Sequence, residues 1–223
     1  PNTPFKKSAQ EFDLNKNGSI DQNEIQKYIP EGYCFIGFYP RNFTFGEFYA
    51  SSLNLEYVLV RKSSIVESEE SKNIASIQNK DVTTILTDSL TKDQKKKVEA
   101  ALNDGKNVDF KPILKNGVNK SDEKVLLAYV DNNKYNVVNA FDVEIQLYVD
   151  DKNEGLITET SKELTFKVAI PESLKKEGRK FYVLRAHDGK VEKLPVNEDG
   201  TFETDKFSSY MLVYEDVKAT TSE

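Results

Sequence analysis

Phe141-Asp-Val-Glu-Ile-Gln-Leu-Tyr-Val149 alternates apolar and polar residues without a break. An apolar residue at every second position is the pattern of a β-strand with one buried face. The stretch Leu164-Thr-Phe-Lys-Val-Ala-Ile170 alternates in the same way. Both stretches are predicted to be strands, and they indicate a C-terminal half that is mainly β.

Turn signals divide the remaining C-terminal residues into further short strands. Residues 181–186 and 191–196 flank His187-Asp-Gly-Lys190, and an Asp-Gly pair of this kind predicts a hairpin turn. Residues 197–200 predict a second turn, and residues 210–214 predict the last strand. Short strands spaced about 8–12 residues apart indicate an antiparallel β-sandwich.

The region before these strands is mixed. Thr91 is a good N-cap and Gly105 a good stop signal for a helix between them. Residues 108–114 predict a strand, which Pro112 would place at a sheet edge. Residues 124–130 fit either a helix or a strand.

Two shorter segments precede the helix at Thr91. The β-branched run at residues 82–86 predicts a strand. Residues 61–80 are polar and charged without clear periodicity, so they are predicted to be a linker.

Residues 91–216 resemble a module found in large cell-surface proteins of Firmicutes. The resemblance rests on the runs Leu164-Thr-Phe-Lys-Val-Ala-Ile-Pro-Glu-Ser-Leu174, Gly178-Arg-Lys-Phe-Tyr-Val-Leu-Arg-Ala-His-Asp-Gly-Lys190 and Phe202-Glu-Thr-Asp-Lys-Phe-Ser-Ser-Tyr210. Such modules are similar to immunoglobulin-like β-sandwiches. The resemblance implies an extracellular, non-catalytic spacer or adhesive module, and it carries over no catalytic or ligand residues. Residues 217–223 look like the start of a linker.

The N-terminal stretch Asp13-Leu-Asn-Lys-Asn-Gly-Ser-Ile-Asp-Gln-Asn-Glu24 has the spacing of a Ca²⁺-binding loop. Ca²⁺ takes about six to eight oxygen ligands, and a 12-residue loop supplies them from positions 1, 3, 5, 7, 9 and 12. The predicted ligands are Asp13, Asn15, Asn17, the backbone carbonyl of Ser19, Asp21 through a water, and Glu24 as the bidentate closing ligand. Gly18 falls where the loop must turn sharply and where a Cβ is expected to obstruct the turn.

This stretch resembles the calcium loop of EF-hand proteins and meets every position of that pattern. Phe5 and Phe12 predict a short helix before the loop, and Ile25 and Tyr28 predict one after it, which Pro30 ends. EF-hands usually occur in pairs, so a lone loop pairs with a partner chain or packs on its own domain. Three carboxylates and two neutral amides favour weak Ca²⁺ binding, on the order of 10⁻⁴–10⁻³ M. The alternative is an Asx-rich turn that binds nothing.

Residues 30–60 are rich in aromatic side chains. The candidates for a platform that binds a glycan or a host protein are Tyr33, Phe35, Tyr39 and Tyr49. The alternative is that these aromatic residues belong to a core. The same region faintly resembles one degenerate leucine-rich repeat, and a single repeat cannot bury its own face.

Composition argues against several function classes. The formal net charge of −6 disfavours nucleic acid, because phosphates would be repelled. No apolar run approaches the roughly 18 residues that a membrane span needs. Cys34 is the single cysteine, so neither a disulfide framework nor a thiolate metal site is expected. A cysteine-poor chain rich in Lys, Asn and Asp, with a weak calcium loop, fits the outside of a Gram-positive cell. The start at Pro1 suggests a piece of a larger chain, whose neighbouring domains are expected partners.

No catalytic motif accompanies these features. His187, the only histidine, falls in a predicted turn, and no Gly-x-Ser-x-Gly run is present. Acidic residues outside the loop fall mostly in turns or on exposed strand faces, which does not favour a glycosidase pair. We therefore expect a protein that is not an enzyme.

These patterns predict a mainly β chain with some α structure. The predicted parts are an EF-hand-like unit at 1–30, a small β-rich or mixed segment at 31–90, and an immunoglobulin-like antiparallel β-sandwich at 91–216. The expected function is that of a calcium-stabilised extracellular module, acting as a structural spacer or adhesion element. The alternative is an accessory module that binds a glycan or protein through the aromatic residues between 33 and 57.

Overall fold

A computed structural model describes the backbone of residues 5–28, 33–39, 46–47, 54–61 and 63–217. Side chains are described for residues 10–21, 23–25, 27–28 and 63–217. Strand outweighs helix, at 44% against 27%, which confirms a mainly β class with some α structure. Within the described ranges, every helix is too short or too polar to cross a membrane.

The strands are β1 (Phe5–Ser8), β2 (Ser19–Ile20), β3 (Tyr33–Tyr39), β4 (Gly46–Glu47), β5 (Asn54–Arg61), β6 (Ser64–Ile65), β7 (Ala75–Ile77), β8 (Val108–Asn116), β9 (Asn136–Val149), β10 (Lys152–Ile157), β11 (Glu159–Val168), β12 (Arg179–His187), β13 (Lys190–Pro195), β14 (Thr201–Lys206) and β15 (Ser209–Asp216). The helices are α1 (Ala9–Phe12), α2 (Gln22–Gln26), α3 (Glu69–Lys72), α4 (Val82–Asp88), α5 (Lys92–Asn103) and α6 (Lys120–Asn133).

Residue contacts divide the chain into two compact units. The first comprises Pro1–Ser63, Asp93–Val108 and Val149–Lys152, and the second comprises Ser64–Lys92, Asp109–Tyr148 and Asn153–Glu223. The division into parts at 1–30, 31–90 and 91–216 stays a prediction.

The first unit contains two small sheets. Strand β5 lies between β1 and β3, and both pairs are antiparallel. A separate two-stranded ladder joins β2 to β4. The helix predicted before the calcium loop is wrong in part, because Phe5 lies in β1 and only Ala9–Phe12 is helical. Pairing with β5 supplies the backbone hydrogen bonds that a helix would otherwise have supplied there.

The second unit contains a seven-stranded sheet and a three-stranded sheet. The order of the larger sheet is β13-β12-β15-β9-β8-β6, with β10 beside β9, and the order of the smaller is β14-β11-β7. The ladders that join β9, β12, β13 and β15 are antiparallel, whereas β6 pairs with β8 in parallel. The period-2 strands predicted around residues 141–149 and 164–170 are confirmed as β9 and β11.

Opposite faces of the larger sheet carry different layers. On one face, α6 packs against β12 and β15; the buried side chains there are Leu126, Val130, Leu184, Ala186, Met211 and Val213. On the other face, the ring of Tyr210 stacks on Phe141 at 5.6 Å and meets Phe202 of β14 at 6.0 Å. The smaller sheet therefore covers this other face of the larger sheet, and a second buried core lies between the two sheets. Residues 124–130, which fitted either element, are helical.

The strand predicted at residues 82–86 is wrong, because these residues begin helix α4. Val82, Ile85 and Leu86 are buried. Their spacing of three and four residues makes one helix face apolar, and α4 contacts β11. Burial of this face outweighs the β preference of the β-branched side chains.

The linker predicted at residues 61–80 is also wrong. Its described residues form β6, α3 and β7 in succession. Ser71 is only 2% exposed, and its hydroxyl oxygen accepts a hydrogen bond from the backbone N–H of Leu114 at 3.1 Å. Strand pairing of β6 with β8 and of β7 with β11 also holds the segment. Each element is only two to four residues long, too short to show a hydrophobic period in the sequence.

Candidate calcium site

The predicted Ca²⁺ loop runs from the end of α1 into α2, within the first unit. Gly18 adopts a φ of +79°, in the left-handed region that favours glycine. A Cβ at Gly18 would meet no described atom within 4 Å. The glycine is therefore required by backbone conformation, and the expectation that a side chain would be obstructed at this turn is wrong. Lys16 is also left-handed, with a φ of +59°.

The first half of the loop folds around the carboxylate of Asp13. Its Oδ1 accepts from the N–H of Asn17 at 3.0 Å, and its Oδ2 accepts from the N–H of Gly18 at 2.7 Å. The side-chain oxygen of Asn15 accepts from Asn17 N–H at 3.1 Å, and that of Asn17 accepts from Ser19 N–H at 2.9 Å. These bonds draw three predicted ligand side chains toward the loop's own backbone.

The second half closes on Glu24. One of its carboxylate oxygens accepts from the N–H of Asn15 at 3.3 Å, and the other accepts from the N–H of Asp21 at 3.0 Å. The Asp21 carboxylate accepts in return from Glu24 N–H at 2.9 Å, which completes a capping box for α2. Glu24 is 5% exposed. A buried carboxylate needs compensation, and two backbone amides supply part of it.

Apolar side chains hold both ends of the loop. Phe12, Ile20 and Ile25 are all nearly inaccessible to solvent. The rings of Phe12 and Tyr28 meet edge to face at 5.2 Å, and the Tyr28 hydroxyl donates to the carbonyl of Glu11 at 2.7 Å. The residues before and after the loop therefore close onto each other.

The loop pairs within its own chain. Ile20 lies opposite Gly46 and Ser19 opposite Glu47 in the antiparallel ladder of β2 and β4. Of the two alternatives for a lone loop, packing on its own domain is the one observed.

The oxygen donors suit Ca²⁺ in chemistry, since carboxylate, amide and backbone carbonyl oxygens are the ligands that this hard cation prefers. Among the described residues, no three His, Cys, Asp or Glu side chains form a group able to hold a metal ion. Half of the predicted set consists of the neutral oxygens of Asn15, Asn17 and Ser19. The carboxylates of Asp13 and Glu24 keep lone pairs beyond those that accept backbone N–H groups.

The predicted aromatic platform lies outside the described side chains. Tyr33, Phe35 and Tyr39 contribute backbone to β3, but their side chains are not among those described, and Tyr49 lies outside the described residues altogether. Their proposed role in binding stays a prediction.

His187 occupies the hairpin that the Asp-Gly pair predicted. It is the last residue of β12 and pairs with Lys190 of β13, and the intervening Asp188 and Gly189 have φ values of 49° and 71°. Two successive positive φ values are those of a type I′ turn, which confirms the predicted hairpin. The Nε2 atom of His187 lies 3.5 Å from Asp188 Oδ2, whose side chain is exposed.

The second unit carries a tyrosine cluster that sequence reasoning missed. The ring of Tyr135 lies 6.4 Å from that of Tyr129 and 5.6 Å from that of Tyr182. The amine of Lys193 lies 4.6 Å from the centroid of the Tyr182 ring and donates to the Tyr135 hydroxyl at 3.2 Å. Tyr129 lies in α6 and Tyr135 just after it, whereas Tyr182 and Lys193 lie in the later strands β12 and β13. No local sequence pattern joins them.

No protein-family model matches this chain, and no curated protein or solved structure is significantly similar to it.

Proposed function

We propose that this chain is a non-catalytic, calcium-stabilised extracellular module of a Gram-positive surface protein, acting as a structural spacer or adhesion element. The observation that carries the proposal is the inward fold of the loop at residues 13–24. Asp13 and Glu24 each use both carboxylate oxygens to accept loop N–H groups. The amide oxygens of Asn15 and Asn17 also bond within the loop.

Calcium would act here as a structural ion. The carboxylates of Asp13, Asp21 and Glu24 repel one another when no cation is bound, and one Ca²⁺ would offset that repulsion. Asp13, Asn15, Asn17 and Glu24 would supply side-chain oxygens, Asp21 would bind through a water, and Ser19 would supply its carbonyl. A site with a Kd on the order of 10⁻⁴–10⁻³ M would be mostly filled at the calcium levels outside cells and empty in a cytosol. A measured affinity in this range would therefore support the extracellular assignment.

We also propose that the second unit is an immunoglobulin-like β-sandwich. The two sheets that face each other through Tyr210 and Phe202 support this assignment. Helix α6 on the outer face and the parallel ladder of β6 with β8 are departures from a simple antiparallel sandwich. A rigid unit of this kind suits a spacer, since its function would lie in holding neighbouring domains apart.

Calcium titration by calorimetry, paired with thermal unfolding in calcium and in EDTA, tests the proposal. We expect one-to-one binding with a Kd near ~10⁻⁴ M. Calcium at about ten times that Kd should stabilise the folded state by about 1.4 kcal/mol through mass action. Asp13→Ala should abolish binding and leave the second unit folded. The control is Asn23→Ala, an exposed loop position outside the predicted ligand set. Absence of heat, with melting unchanged by EDTA, would reduce the loop to an Asx-rich turn.

A further inference from the structure

Part of the sheet face that carries α6 extends beyond the helix. Tyr182 lies opposite Pro195 on one side and Val213 on the other, and Val213 lies opposite Val137. Residues directly opposite each other share a face of the sheet, and Val213 packs against α6. We call this surface the Tyr182 face; its residues are Tyr135, Val137, Lys180, Tyr182, Lys193, Pro195 and Glu215.

The Tyr182 face offers apolar and aromatic area to solvent. Val137 is 44% exposed. Tyr135 and Tyr182 are only partly buried, with their rings inclined at 40° to each other. Tyrosine supplies a large, rigid and amphipathic contact area, and it is enriched where proteins bind one another.

The face carries two lysines, Lys180 and Lys193, and one acidic residue, Glu215, which lies opposite Lys180. Lys180 and Lys193 are exposed, and within the described part of the chain neither forms an ion pair with a carboxylate. The amine of Lys193 contacts only tyrosines among its described partners. The nearby Glu215 accepts from the Tyr182 hydroxyl at 2.8 Å. Two lysines with no carboxylate ion pair among the described residues outnumber the one glutamate of this face, which favours an anionic ligand.

A groove continues from this face. Its volume is about 860 Å³, and its lining includes Tyr182, Lys180 and Pro195 from the face together with Ile170, Lys175 and Val196. Ligand-binding clefts typically measure about 300–1,000 Å³ and combine an apolar floor with a few placed polar groups. This groove has that combination. Its charged lining comprises Lys175, Lys176, Arg179 and Lys180 against the single carboxylate of Glu198, so positive charge predominates.

We propose that the Tyr182 face and its groove bind a peptide segment of a partner protein that carries both acidic and apolar side chains. The acidic side chains pair with Lys180 and Lys193. The apolar side chains lie on Tyr135 and Tyr182 and enter the groove. This inference rests on the adhesive role in the proposed function, and it is independent of the calcium loop.

A labelled peptide of alternating Glu and Phe is the probe, titrated into the intact chain at low salt and followed by fluorescence anisotropy. A second peptide with Lys in place of Glu is its control. We expect saturable binding of the acidic peptide only. The double variant Lys180→Glu/Lys193→Glu should weaken it about tenfold or more, whereas Lys162→Glu, an exposed lysine of β11, should leave it unchanged.

Backbone NMR shifts of the unmodified chain locate the bound peptide without reliance on any variant. Shifts centred on Tyr135, Tyr182 and Lys193 support the proposal. It is overturned if the shifts lie elsewhere, if binding is absent, or if Lys162→Glu weakens binding as much as the double variant. Preferential binding of a heparin oligosaccharide would also overturn it, since the ligand class would then be an anionic glycan. Calcium calorimetry on the same sample judges the calcium site separately.

Discussion

Arg185 and Glu192 lie opposite each other on β12 and β13, and the Arg185 Nη2 atom donates to Glu192 Oε2 at 2.5 Å. The Nη1 atom of Arg185 donates across to β14, to Thr204 Oγ1 at 2.7 Å and Asp205 Oδ1 at 2.9 Å. Arg185 is 5% exposed. A guanidinium thus links the two sheets of the second unit, and two carboxylates compensate its buried charge.

Replacing Arg185 by Met should destabilise the second unit by about 2 kcal/mol, because hydrogen bonds to charged groups contribute roughly 1.5–3 kcal/mol. The released carboxylates of Glu192 and Asp205 are already partly exposed, so water can solvate them. Urea unfolding followed by tyrosine fluorescence measures the change. Lys162→Met, at an exposed position, should stay within about 0.5 kcal/mol of the parent chain. Equal midpoints for the two variants would contradict a linking role for Arg185.

Asp216 should titrate well below an ordinary aspartate. The Arg179 guanidinium donates to both carboxylate oxygens of Asp216, at 2.7 and 3.0 Å. The Lys176 amine lies 3.0 Å from Asp216 Oδ2. The Arg179 and Lys176 hydrogen bonds lower the pKa of Asp216 from 3.8 to about 2. Because the folded-state pKa is the lower one, the interaction stabilises the fold above pH ~4 and is lost as the pH falls through about 2.

A pH titration followed by carboxyl ¹³C NMR measures this pKa directly. In Arg179→Gln, the pKa of Asp216 should rise toward 3.8. Asp199 is the internal control, because the Thr201 hydroxyl and N–H lower its pKa independently of Arg179. An Asp216 that titrates near 3.8 in the unmodified chain would show that the ion pair does not persist in solution.

Sequence patterns predicted strands β9 and β11 because one face of each strand is largely buried and the other is not. In β9 the buried residues include Phe141 and Val143, and in β11 they include Leu164 and Phe166. Period-2 alternation follows directly from that arrangement. Residues 82–86 were wrongly predicted to be a strand because a short β-branched run can equally bury one face of a helix. Helix α6 stayed ambiguous because its apolar residues fit both periods over seven positions.

The two candidate sites, the loop at residues 13–24 and the Tyr182 face, also differ in how far the sequence predicts them. A calcium site could be proposed from the sequence because the predicted ligands fall within 12 consecutive residues, whose spacing matches a known loop pattern. The Tyr182 face could not, because its residues come from four segments, around 135–137, 180–182, 193–195 and 215. Only strand pairing brings these segments together.

Ser71 should contribute more to the stability of the fold than its polar sequence context suggests. Ser71→Ala would leave the buried N–H of Leu114 without its hydroxyl partner, at a cost of about 1–3 kcal/mol. Amide hydrogen exchange at Leu114 should accelerate, and urea unfolding should shift to lower concentration. Ser161→Ala, an exposed serine of β11, is the matched control. Unchanged exchange at Leu114 would mean that this N–H has another partner.

Gly18 and Lys16 test whether backbone conformation governs the calcium loop. Both have positive φ, but only Lys16 bears the cost of a side chain there. Gly18→Ala should destabilise the calcium-bound form by about 1–2 kcal/mol, the cost of a left-handed L-residue. Gly18→Asn should cost less, because asparagine tolerates this region. Lys16→Gly should leave the melting temperature unchanged or raise it, since glycine adopts a positive φ without the steric cost that a side chain brings.

Thermal unfolding in calcium and calcium calorimetry on all three variants measure these effects. The expected order of stability is Lys16→Gly, then Gly18→Asn, then Gly18→Ala. A Cβ at Gly18 meets no described atom, so side-chain bulk should not set this order. If Gly18→Asn were as damaging as Gly18→Ala, the loop would be excluding side chains rather than requiring a positive φ. If neither mattered, the turn at Gly18 would not be needed for calcium.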